Sequence, residues 1–79
     1  MVLDPARKAL HTLPKHYQKL VMDRIESLLE NPRPHGCKKL QGQEAFRVRQ
    51  GPYRILYAID DSALLVVVSN IKPRREAYR

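Results

Sequence analysis

At Ala45 the apolar residues of this chain change their period from 3.6 to 2, and that switch within 79 residues dictates a small α+β domain. Upstream of it, Ala6, Ala9, Leu10 and Leu13 recur at helical spacing, followed by a second stripe of Tyr17, Leu20, Val21, Ile25, Leu28 and Leu29. Asp4 followed by Pro5 predicts an N-cap with proline at the first helical position. Leu13 followed by Pro14 separates the two helices, because proline removes a backbone donor and turns its predecessor away from helix. The expectation is an antiparallel helical hairpin with its apolar side turned inward. Pro32, Pro34 and Gly36 mark a loop that runs on to Gln43, with Lys38, Lys39 and Leu40 as a stretch that can extend. Downstream, three strands follow: one around Phe46 to Arg49, one from Tyr53 to Asp60 and one from Ala63 to Ile71. Gln50-Gly51-Pro52 and Asp60-Asp61-Ser62 supply the turns, so the strands form an antiparallel meander. The largely apolar, β-branched run from Ala63 to Ile71 predicts a central strand covered on both faces.

Alternation decides where the charge goes. Phe46 and Val48 face the core, so Arg47 and Arg49 share the opposite face. In the next strand Tyr53, Ile55, Tyr57 and Ile59 take one side and Arg54 the other with Leu56 and Ala58, so the arginines converge on the open face if the helices cover the side of Phe46 and Val48. Fifteen Lys and Arg against eight Asp and Glu give a net charge of +7, and four of those cations, against one acid, lie in the tail from Lys72 to Arg79. Such a balance selects polyanions as partners. Guanidinium groups bind phosphate in a planar, bidentate way and keep their proton near neutral pH.

Other chemistry finds little support. Cys37 stands alone, which excludes a disulfide framework and suits a reducing, cytoplasmic setting. The first five residues do not read as a secretory leader, and the longest apolar stretch, Ala63 to Val68, falls far short of the roughly 20 residues that cross a bilayer. His11, His16 and His35 sit in helices or loop, away from the strands. Metal-ligand spacing is absent, so neither a metal nor another cofactor is expected. A single domain spanning residues 1–79 is expected.

Several short motifs run in one order along almost the whole chain: Leu3-Asp4-Pro5-Ala6-Arg7-Lys8-Ala9-Leu10, Glu30-Asn31-Pro32-Arg33-Pro34, Lys38-Lys39-Leu40-Gln41-Gly42, Phe46-Arg47-Val48-Arg49, Tyr53-Arg54-Ile55-Leu56-Tyr57 and Arg74-Arg75-Glu76-Ala77-Tyr78. Together they resemble the RelE/ParE toxin superfamily of type II toxin–antitoxin systems, with a lean toward the RelE branch. The resemblance implies a helical hairpin on a small, mainly antiparallel sheet whose first strand, here only Met1 to Leu3, is short or missing. It also implies a toxin that cuts messenger RNA in the A site of the small ribosomal subunit through attack of the 2′-hydroxyl on the adjacent phosphate, and a cognate acidic antitoxin as partner.

Roles carry over position by position. Arg47 and Arg49 match two basic strand residues that hold or activate the reacting backbone. Arg54 matches the arginine that stabilises the crowded phosphate, and Arg74 a basic residue assigned to phosphate or leaving-group stabilisation. Tyr78 matches a terminal tyrosine that orients RNA or assists proton transfer. Lys38, Lys39, Lys72, Arg75 and Arg79 are the additional RNA-binding candidates. Two alternatives stay open: a ParE-like toxin that inhibits DNA gyrase by contact, and a member without catalysis that binds only antitoxin or RNA. The latter draws on Pro73, which stands where many relatives carry histidine.

Overall fold

The computed structural model describes residues 1–40, 42 and 45–73. Two helices, α1 (Asp4–Thr12) and α2 (Lys15–Glu30), precede four strands, β1 (Lys38–Lys39), β2 (Phe46–Gln50), β3 (Tyr53–Asp60) and β4 (Leu65–Pro73). The strands lie side by side in sequence order with every neighbouring pair antiparallel. Both helices cover one face of this sheet, as the change of period requires.

Local chemistry sets the helix limits. Asp4 is the first helical residue and not the cap; Leu3 occupies the N-cap, without a side-chain hydrogen bond. The Asp4 carboxylate pairs instead with Arg7, one turn on. In that place it still complements the positive end of the helix. Leu13 is extended at φ −75° and ψ 152°, the conformation a residue before proline favours. α1 rests chiefly on β4, whereas α2 reaches both β2 and β4. Each helix thus finds its partner surface in the sheet more than in the other helix, a looser hairpin than the sequence predicts.

The core joins Ala6 and Leu10 of α1, Val21, Ile25 and Leu28 of α2, and the inward side chains of β2 to β4. The α2 stripe is narrower than predicted: Leu20 is 44% and Leu29 62% exposed. A sheet beneath one helix covers a narrow arc, so residues at the margins of the stripe stay wet. The chain's first residues form one parallel bridge, Val2 to Val68. The Leu3 N–H donates to the Val68 carbonyl at 2.9 Å and the Val68 N–H to the Met1 carbonyl at 2.8 Å. The short first strand therefore shields the outer edge of β4. That last strand begins at Leu65, not Ala63, and lies at the end of the order instead of its centre. Val66 and Val68 are buried while Leu65 and Val67 are half-buried, so coverage of its two faces is unequal.

A β-bulge divides β4. Leu56 pairs with Asn70 and Tyr57 with Val68, which leaves Ser69 without an opposite residue. The Ser69 hydroxyl donates to the Leu56 carbonyl at 3.2 Å. One extra residue reverses the in–out alternation of everything beyond it. Val66 and Val68 point to the helices before the bulge, and Ile71, across from Ile55, does so after it. Lys72 is thereby delivered to the open face, across from Arg54.

Candidate nucleic-acid interface

The open face carries a row of cations assembled from all four strands. Lys38 stands opposite Arg47, Arg49 opposite Arg54, and Arg54 opposite Lys72. Directly opposed positions hold their Cβ atoms about 4.5–5.5 Å apart, so these side chains share one neighbourhood. Lys38, Arg47, Arg49 and Arg54 line a pocket of about 260 Å³, closed on one side by Gly36. Arg54 is buried, at 4% exposure; Arg47 is half-buried; Lys38 and Arg49 are exposed. The pocket therefore has a guanidinium floor and a cationic rim. Its position follows from alternation, since the partners of these residues along each strand fill the core on the other side.

Gly36, at φ +90°, adopts a left-handed backbone that favours glycine. The sequence marks it only as part of a proline-rich loop, and its place against the cations was not legible there. Two interactions fix that loop. The buried Tyr57 hydroxyl donates to the Pro32 carbonyl at 2.7 Å. Burial first, and the neighbouring Cys37 second, push the Tyr57 phenol above its ordinary range. Arg33 reaches the Asp61 carboxylate with two hydrogen bonds of 3.0 Å and lies 5.6 Å from the Phe46 ring centre. That pairing raises the Arg33 pKa and holds the Asp61 carboxyl below its usual range. The strand that presents Lys38 is thus tied to β3 and to the β3–β4 turn.

Not every candidate joins the cluster. Lys39 falls opposite Phe46, on the face of the helices, one residue out of phase with Lys38. Arg74, Arg75, Tyr78 and Arg79 lie outside the described residues. His11, His16 and His35 are exposed and do not line the pocket, and the His16 ring centre lies 4.1 Å from that of Tyr17. Tyr17 meets Tyr53 edge-on at 5.3 Å, as core aromatics do.

Chemically, such a pocket can grip two or more phosphate oxygens and stabilise charge that builds on them. Fixed guanidiniums do so without reorganising during a reaction. The bidentate geometry of arginine fits the planes of a phosphodiester better than a point charge does.

Comparison with known proteins is consistent along nearly the whole chain. Residues 2–78 match the family model described as the ParE toxin of type II toxin–antitoxin systems. The chain is 36% identical over 76 residues to Toxin RelG of Mycobacterium tuberculosis, covering 94% of this chain and 87% of that protein. It superposes with a TM-score of 0.82 on a chain of the toxin–antitoxin complex RelBE2 from Mycobacterium tuberculosis, at 31% identity and 94% coverage of both chains. A chain of the archaeal RelE–RelB complex from Pyrococcus horikoshii also gives 0.82, at 26% identity, with 92% of this chain and 90% of that one covered.

Proposed function

This chain belongs to the RelE/ParE toxin superfamily of type II toxin–antitoxin systems and is a toxin of the RelE family, and from that premise we propose that it is a ribosome-dependent endonuclease of messenger RNA. The observation that carries this reading is the convergence of Lys38, Arg47, Arg49 and Arg54 in one pocket on the open face of the sheet. A structural charge would be spread over the surface; four cations around one concavity suit a polyphosphate.

In the proposed reaction the 2′-hydroxyl loses its proton and its oxygen attacks the adjacent phosphorus. The bond to the 5′-oxygen breaks, and that oxygen takes up a proton. The products are a 2′,3′-cyclic phosphate and a 5′-hydroxyl. Arg54, at the pocket floor, stabilises the charge on the phosphoryl oxygens. Arg47 and Arg49 hold the flanking backbone in line, and Lys38 and Lys72 neutralise neighbouring phosphates. Arginine keeps its proton near neutrality, so these groups act by charge and position and not as proton acceptors. The family assigns Arg74 to phosphate or leaving-group stabilisation and Tyr78 to stacking on RNA or proton transfer. Arg75 and Arg79 extend the contact with the message, whereas Lys39, on the other face, takes no part in it. The protein acts in the cytoplasm and is silenced by a cognate acidic antitoxin, a partner supported by relatives solved as toxin–antitoxin complexes.

The test is cleavage of a ribosome-bound message by purified protein, mapped by primer extension. Cuts within the A-site codon that disappear in Arg54→Ala and Arg74→Ala uphold the reading. An intact message at high protein concentration overturns it. A match to the ParE model favours one rival, contact inhibition of gyrase. Toxicity that survives both substitutions and brings DNA damage instead of translation arrest identifies that activity.

A further inference from the structure

A second concavity lies on the other side of the molecule, at the opposite end of β3. It has a volume of about 180 Å³ between the end of α2 and the β3–β4 turn. Leu29, Pro32, Ile59, Leu64 and Val66 supply its apolar wall. Glu30, Asp60 and Asp61 stand around it. Along β3 it is six residues from Arg54, or about 20 Å at roughly 3.3 Å per residue.

Three locally unfavourable choices meet here. Leu64 is 94% exposed and holds φ at +53°, a left-handed backbone that costs any residue with a Cβ. Leu29 is 62% exposed on the same wall. Glu30 closes α2, whose last turn carries no basic residue, so a carboxylate sits at the negative end of the helix. Asp60 is fixed in place by the Ser62 hydroxyl at 2.7 Å and the Ala63 N–H at 3.2 Å. Arg33 offsets only one of the three carboxylates, through Asp61. An isolated chain gains nothing from an exposed apolar groove ringed by acids in an otherwise cationic molecule. A partner with the complementary pattern covers both leucines and offsets the carboxylate at the helix end.

We propose that this groove receives a segment of the antitoxin in which an apolar side chain is flanked by lysine or arginine. The proposal rests on the reading that the protein has an antitoxin. Charge complementarity selects the segment: an acidic stretch suits the arginine face, whereas the acid-ringed groove selects a basic one. The antitoxin therefore engages the toxin at two places of opposite charge. Anchoring at the groove raises the effective concentration of the acidic stretch at the arginines.

The experiment is titration calorimetry of the full chain with its purified antitoxin at two salt concentrations. Leu64→Glu and Glu30→Lys are each expected to weaken binding at least tenfold. Leu64→Gly separates fold from interface: relief of the left-handed backbone raises Tm, yet loss of the isobutyl group lowers affinity. Wild-type affinity in all three variants overturns the groove while leaving the antitoxin reading intact. Tighter binding by Glu30→Lys overturns the basic flank. Failure of the wild-type protein to bind its antitoxin overturns both readings. Altered self-association of Leu64→Glu in sedimentation, with antitoxin affinity unchanged, overturns the proposal in favour of a second copy.

Discussion

Arg49 and Arg54 face each other directly across β2 and β3, and Lys72 flanks Arg54 on its other side. Opposed like charges work against a sheet, so the arrangement trades stability for affinity toward anions. Arg49→Gln is expected to leave Tm unchanged or raise it, by the equivalent of about 0.2–1 kcal/mol. The same variant should bind single-stranded RNA more weakly and reduce the slope of log K against log salt by about 0.7. Thermal denaturation and a salt titration check the two halves. Arg54→Ala, which removes the pocket floor, is expected to slow cleavage by about 100-fold or more.

The Tyr57 hydroxyl ties the loop before β1 to β3 through the Pro32 carbonyl. Tyr57→Phe leaves that carbonyl without its donor and should cost about 1–2 kcal/mol in urea denaturation. A pH effect accompanies it. Burial raises the folded-state pKa of the phenol, so the native state keeps a proton that the unfolded chain gives up near pH 10. This contribution is intact below about pH 10 and is lost as pH rises toward the folded-state value. Tyr57→Phe should therefore lose less stability than the wild type above that pH.

Asp61 shows the opposite sign. Its hydrogen bonds from Arg33 lower the folded-state pKa, so their contribution is present above about pH 4 and disappears as pH falls through the folded-state value. Asp61→Asn should have a slightly lower Tm than the wild type at pH 7. The two should converge once the pH has fallen below the folded-state value, where both lack the carboxylate. Melting curves across that range decide the matter.

Gly51 turns the chain between β2 and β3 at φ +59°, and a Cβ there would lie 3.1 Å from the Tyr17 ring. Gly51→Ala must meet both a left-handed backbone and that ring. A loss of about 1–2 kcal/mol is expected from the backbone alone. Double substitution with Tyr17→Ala should recover none of the backbone part, which a double-mutant cycle reads directly.

Period and alternation made much of this molecule legible. Phe46 and Val48 identified the face of Arg47 and Arg49, and Tyr53 to Ile59 identified that of Arg54, before any coordinates. The limits of that logic appear where the local pattern is uninformative. Val66, Val67 and Val68 are all apolar, so they give no sign of which points inward, and the parity break at Ser69 is invisible beside them. Lys38 and Lys39 are alike in charge, yet pairing with Arg47 and Phe46 sends them to opposite faces. Leu20 and Leu29 fit a helical stripe, but the width of the sheet beneath decided that they remain exposed. Arg74 and Tyr78 entered through family resemblance alone, because neither charge nor spacing assigns a role to a tail.

The Ser69 bulge makes β4 two half-strands of opposite phase. Up to Val68 the strand answers to the helices; from Asn70 onward its outward side chains answer to whatever the arginines hold. A selection for survivors of the toxin should therefore sort its hits by phase and not by simple parity: losses of folded protein at Val66, Val68 and Ile71, and folded but harmless variants at Lys72. Deleting Ser69 removes only the unopposed residue: Asn70 still meets Leu56, Ile71 still meets Ile55 in the core and Lys72 still meets Arg54 on the open face, so both properties should survive a deletion here and be lost on an insertion beside it.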